Sequence, residues 1–157
     1  MRPLEEHAVL RKGLTSLQII VGALLLGVVI FSLVLLFGIR PEAKEPAEGA
    51  LPLTWILLGA GAFAVVMVLV MRGVLLGNLR RRVADGTWSA PGGHAPFAAA
   101  GEAGKLFQGW MAATIVTAAG MEGAALMALV AYFLEGQPAA LIAAGVFGLL
   151  LALQMPT

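Results

Sequence analysis

Apolar positions in this chain neither alternate nor recur as a narrow stripe. They gather into four unbroken runs separated by polar segments. The first is LTSLQIIVGALLLGVVIFSLVLLFG, Leu14 to Gly38, and the second is LPLTWILLGAGAFAVVMVLVM, Leu51 to Met71. The third extends from Phe107 to Leu134 and the fourth, PAALIAAGVFGLLLALQM, from Pro138 to Met155. A helix needs about 20 apolar residues to cross the hydrocarbon core, and each run approaches or exceeds that length. A membrane barrel strand would alternate and end after about 10 residues. The pattern predicts an all-α polytopic membrane protein, residues 1–157 forming a single membrane domain. Its four transmembrane helices are expected near 14–38, 51–77, 107–134 and 138–155. The first run is too long for a cleaved signal sequence, and Glu5 and Glu6 interrupt any basic leader, so a retained anchor is expected.

The separators fit this division. IRPEAKEPAEGA carries Pro41 and Pro46 and reads as a short polar loop, while EGQP places Gly136 and Pro138 where a tight turn is needed. The segment near 78–106 is long and rich in Gly, Ala and Pro, and reads as an irregular loop with or without a short surface helix.

Charge adds an orientation. Arg2, Arg11, Lys12, Arg72, Arg80, Arg81, Arg82 and Lys105 share one side of a four-pass topology, and only Arg40 and Lys44 share the other. The positive-inside bias then predicts cytoplasmic termini and a cytoplasmic middle loop, in an inner or plasma membrane. Glu42, Glu45, Glu48 and Glu135 would lie outside. Composition agrees: 60% of residues are hydrophobic and 12% charged, against about a quarter charged in soluble domains. A net charge of +1 points to no nucleic-acid partner, and the lack of cysteine excludes disulfides, iron–sulfur clusters and thiol catalysis.

The first and third runs resemble each other. With Gly27 set on Gly123, six of nineteen positions coincide between Ile19–Phe37 and Ile115–Phe133. They are Ile19/Ile115, Ala23/Ala119, Gly27/Gly123, Leu33/Leu129, Val34/Val130 and Phe37/Phe133. Pro52 then falls on Pro138 and Gly59 on Gly145. Two tandem helical hairpins in parallel orientation are expected. Leu26 takes the place of Glu122, so one copy carries an acid and the other does not.

Glu122 is the leading functional candidate. It lies fifteen residues beyond Phe107, roughly 20 Å along a helix and near the bilayer centre. An ionised acid there costs about 2.5–3.5 kcal/mol on insertion scales, so it must be neutral, paired or turned toward protein or water. Apolar surroundings favour the neutral form of a carboxyl, which suits a group that loads and unloads a proton. Thr117 and Thr114, one to two turns toward the cytoplasm, are the nearest hydroxyls; they either hold a water file or bond back to their own helix. Around the acid, Ala119, Gly120, Gly123 and Ala124 make a thin helix suited to close packing. Those small faces are expected to pack within one bundle or to join protomers, as a homo-oligomer or membrane complex.

The stretch IVTAAGMEGAALMALVAYFL resembles the carboxylate helix of the proteolipid c subunits of rotary ATP synthases. It has a mid-membrane acid after small and apolar residues, with Leu129 and Val130 about seven residues later. The resemblance implies that Glu122 matches the proton- or sodium-binding carboxylate of that family. It covers about 20 residues, one helix of four, and the family's glycine ladder is reduced here to Gly59 and Gly61.

Other chemistry is sparse. His7 and His94 stand apart without thiols or acids around them, so no metal site is expected. No phosphate loop, HExxH motif or nucleophile–base set is present, which argues against an enzyme and calls for no cofactor. Arg80, Arg81 and Arg82 are topology anchors that suit anionic lipid headgroups. Trp55, Trp110 and Tyr132 read as interfacial anchors, and Trp88 and Phe97 as aromatics that dip into the interface or meet a partner. Two functions remain open: ion binding at Glu122, or a structural and accessory role in which Glu122 is a hydrogen-bonding group between helices.

Overall fold

A computed structural model describes residues 3–38, 52–87, 97 and 101–156. Four helices run in the order α1 (Pro3–Leu33, continued by a π-helical stretch, Val34–Gly38), α2 (Leu53–Ala84), α3 (Gly101–Glu135) and α4 (Pro138–Ala152). There is no strand among the described residues. Three helices are long and apolar enough to cross a membrane: His7–Gly38, Leu53–Ala84 and Gly101–Glu135. The fourth has 15 residues and spans about 22 Å, short of the ~30 Å hydrocarbon core. The outer-loop charges Arg40, Lys44, Glu42, Glu45 and Glu48, together with Arg2, Trp88 and His94, lie outside the described residues.

The helices overrun the apolar runs. α1 is helical from Pro3, eleven residues before the first run; α2 continues through Arg82, and α3 starts at Gly101. Residues 78–84 and 101–106, expected within an irregular loop, are therefore helix. Nothing in LRRRVA breaks a helix; the stop comes at Asp85–Gly86, where Gly86 takes φ 67° and donates to the Val83 carbonyl at 3.2 Å. Pairing also supports the extension. Val83 and Gly104 are buried beyond the apolar limits, and the Leu79 side chain fills the space over Gly109. The EGQP turn forms as the breakers require: Gly136 has φ 65° and its N–H bonds the Tyr132 carbonyl at 2.7 Å, and Pro138 opens α4.

α3 is the hub. It packs extensively on α2, then on α4 and α1, whereas α1 and α2 barely touch. Small residues set the approach on each side. Gly120 of α3 receives Val68 of α2, and Gly61 of α2 lies against the backbone of Ala124 at 3.6 Å from where its own Cβ would sit. On the α1 side, Gly13 receives Phe107 and Met111, with Phe97 joining the aromatic cluster at 5.8 Å from Phe107. Trp110, read as an interfacial anchor, stacks obliquely on Phe107 at 5.8 Å.

Polar contacts pin the two ends of the bundle. At one end the Gln18 amide donates to the Pro156 carbonyl at 3.0 Å, and the Arg72 guanidinium donates to the Gln154 side chain. Arg72 is thus tied to the segment just after α4. At the opposite end Glu135 accepts from the backbone N–H groups of Leu53 and Thr54 at 2.6 and 3.0 Å, capping the first turn of α2. Thr54 Oγ1 has no aligned hydrogen bond of its own, so the two amides define the cap. Protection of the Leu53 and Thr54 amides against exchange, measured at one pH, is therefore expected to fall in Glu135→Ala. Unchanged protection in that variant would remove the cap from the account.

Candidate functional site

The site begins with the register of α1 on α3. Close packing at Gly13 and again near the helix centres brings Gly27 opposite Glu122. A Cβ built on Gly27 would lie 3.4 Å from Glu122 Oε1, so the carboxyl lies at van der Waals range of the α1 surface at this glycine. Glu122 is half-buried, and among the described residues no donor is hydrogen-bonded to its carboxyl. Next to it Gly123 faces open space and Ala119 is exposed. The acid therefore sits on the α1 edge of the open side of α3, the side left free because α1 and α2 diverge.

The small residues of this helix divide by direction. Gly120 and Ala124 point to α2, where a Cβ on Gly120 would come within 2.6 Å of Val68 Cγ2. Gly123 and Ala119 point outward. Two small-residue pairs that look equivalent in sequence thus have different surroundings: one is a buried helix contact, the other a free surface.

Thr114 and Thr117 do not join Glu122. At about 100° per residue, Thr117 is rotated roughly 140° and Thr114 about 80° from the acid around α3. Both are buried. The Thr117 hydroxyl donates to the Ala113 carbonyl at 2.7 Å, the backward bond expected of a helical threonine. Thr114 Oγ1 is buried without a partner. Neither forms a ligand set with the carboxyl. Arg80, Arg81 and Arg82 are exposed at the far end of α2 and take no part in the site.

Sequence reasoning missed Gly27, which entered only as the residue aligned with Gly123; no local signal marks a glycine as the seat of a side chain from another helix. It also missed Glu135 as the cap of α2. A carboxylate directly after an apolar run, with a helix start elsewhere on the same side, was the available clue.

The arrangement offers one carboxyl, apolar walls and one open flank. Among the described residues no group of three or more His, Cys, Asp or Glu side chains could hold a metal ion. Such a site suits a proton better than a cation that requires several oxygen ligands. A bulky side chain at Gly27 should perturb it: Gly27→Leu is expected to displace the carboxyl and cut its reaction with a hydrophobic carbodiimide several-fold, while Gly123→Ala, which meets nothing within 4 Å, leaves it unchanged. Equal labelling in both variants would contradict the seat. No protein-family model, curated protein or solved structure matches this chain.

Proposed function

We propose that this chain is a non-catalytic, four-pass membrane protein that binds and releases a proton at Glu122, in the manner of the c-subunit helix it resembles. The observation that carries this reading is the position of Glu122: mid-helix in α3, seated on Gly27, without a donor among the described residues, and beside an open flank. A carboxyl so placed is costly when ionised and has no fixed counter-charge, so its protonation is coupled to what meets that flank. A partner helix or a second copy of the chain, arriving at Ala119 and Gly123, would control access. A proton is favoured over sodium because Thr114 and Thr117 face elsewhere.

The reading includes a topology of two tandem hairpins, cytoplasmic termini and an inner or plasma membrane location. The shared end of Arg11, Lys12, Arg72, Arg80–Arg82 and Lys105 supports it, since one end then carries the basic excess. Native cysteine is absent from the sequence, so single cysteines report cleanly. Cysteine at Lys44 should react with an impermeant thiol reagent from outside intact cells, and cysteine at Arg82 or Thr157 only after permeabilisation. External labelling at Thr157 would overturn the four-pass topology.

A second reading makes Glu122 a packing group. The 3.4 Å separation from the built Gly27 Cβ favours it, because a neutral carboxyl in contact at this glycine holds α1 on α3. Glu122→Gln separates the two: it keeps the shape and hydrogen-bonding capacity but cannot exchange a proton. Loss of pH-linked behaviour with assembly intact supports proton binding; unchanged behaviour supports packing.

A further inference from the structure

The inner end of α1 carries a polar face that the site at Glu122 does not use. It is an open, shallow face and not an enclosed cavity, and the described residues along it, all on α1, are His7, Ala8, Arg11, Lys12, Thr15 and Ser16. These residues recur at helical spacing and place two permanent cations together where the apolar run begins. Thr15 and Ser16 donate their hydroxyls to the carbonyls of Arg11 and Lys12, both at 3.1 Å, so the cationic groups are the free donors. Among the described residues neither Arg11 nor Lys12 has a side-chain hydrogen bond or an ion pair, unlike Arg72, which is held by Gln154.

The surface next to this face points to the ligand. Ile19, Leu26, Ile30, Leu33 and Phe37 continue the helical column of Ala8, Lys12 and Thr15, and are exposed along the whole apolar length of α1. A free phosphate would use the cations and leave that column idle. A molecule with an anionic head and long apolar chains matches both parts at once. We infer that His7, Arg11 and Lys12 hold the phosphate-bearing headgroup of an anionic phospholipid whose chains lie along Ile19, Leu26 and Ile30. The inference rests on the membrane reading of α1 and is independent of Glu122. Each basic side chain near an anionic headgroup adds attraction that removal of both cations would reduce roughly thirtyfold in affinity.

The full chain in bilayer nanodiscs, with a phosphatidylglycerol analogue bearing a photoreactive group near the head of one acyl chain, provides the test. Crosslinks mapped by mass spectrometry are expected on residues 14–33, with the zwitterionic phosphatidylcholine analogue labelling far less. Arg11→Gln with Lys12→Gln should weaken labelling about thirtyfold, and Lys12→Arg should retain it. The conservative variant keeps the test informative if the double variant folds poorly. Inorganic phosphate should compete no better than chloride at equal ionic strength. Equal labelling by the zwitterionic lipid, full labelling of the double variant, or displacement by inorganic phosphate would each overturn the assignment.

Discussion

Gly120→Leu is expected to destabilise the folded bundle strongly: the thermal transition of the purified protein should fall well below that of the parent chain and its size-exclusion peak should broaden. The cause is the α2–α3 contact, the most extensive among the described helices. A first side-chain carbon at Gly120 would approach Val68 Cγ2 to 2.6 Å, and the Cβ and Cγ1 of the same valine to 3.3 Å. Valine in a helix has one strongly preferred rotamer, so it cannot swing away and the backbones must separate. Overpacking by a few carbons costs about 1–3 kcal/mol, and leucine adds the largest insertion here. Separation would also pull Gly61 off the Ala124 backbone, since both contacts belong to one face. Gly123→Leu is the control. It lies three residues away in the same small-residue cluster, yet faces open space, and should fold normally. If both variants fold equally well, α2 does not pack on α3 as described.

The second large effect is electrostatic. Glu122→Gln should remove a single proton per chain from the titration of reconstituted protein while leaving the thermal transition in place. Glutamine matches the volume of the acid and still meets the α1 surface at Gly27, so packing is kept. What it lacks is the exchangeable charge. Glu122→Leu removes the polar group as well and separates the roles further. Under the proton-binding account it folds and fails to titrate, whereas under the packing account it destabilises the contact of α1 with α3. An unaltered titration in Glu122→Gln would assign the proton to another group.

The sequence made the existence and type of the helices legible because the bilayer imposes length and continuous apolarity, and those are properties of consecutive residues. It made their ends less legible. α2 passes Met71 and runs to Ala84, and α3 begins at Gly101, because the two helices keep pairing beyond the apolar limit through Leu79, Val83 and Gly104. That is a tertiary cause, invisible to hydropathy. Glu122 itself was conspicuous as a lone acid in an apolar run. Its seat was not, since Gly27 belongs to another helix and only the register of α1 on α3 brings the two together. Thr114 and Thr117 show the reverse. They are close to Glu122 in sequence and appeared as companions, yet rotation around α3 turns them away, and counting 100° per residue would have shown it. Arg72 was read alone because its acceptor, Gln154, is 82 residues distant.

Carbodiimide labelling of the membrane-embedded chain, mapped by mass spectrometry over a range of pH, tests the central claim most directly. The reagent partitions into apolar regions, where a protonated acid transfers its proton to the carbodiimide nitrogen and its oxygen adds to the central carbon, giving an O-acylisourea. The account predicts an adduct on Glu122 that diminishes as pH rises and is indifferent to sodium at fixed ionic strength. An unmodified Glu122 at every pH, or an adduct whose yield does not change with pH, would contradict it.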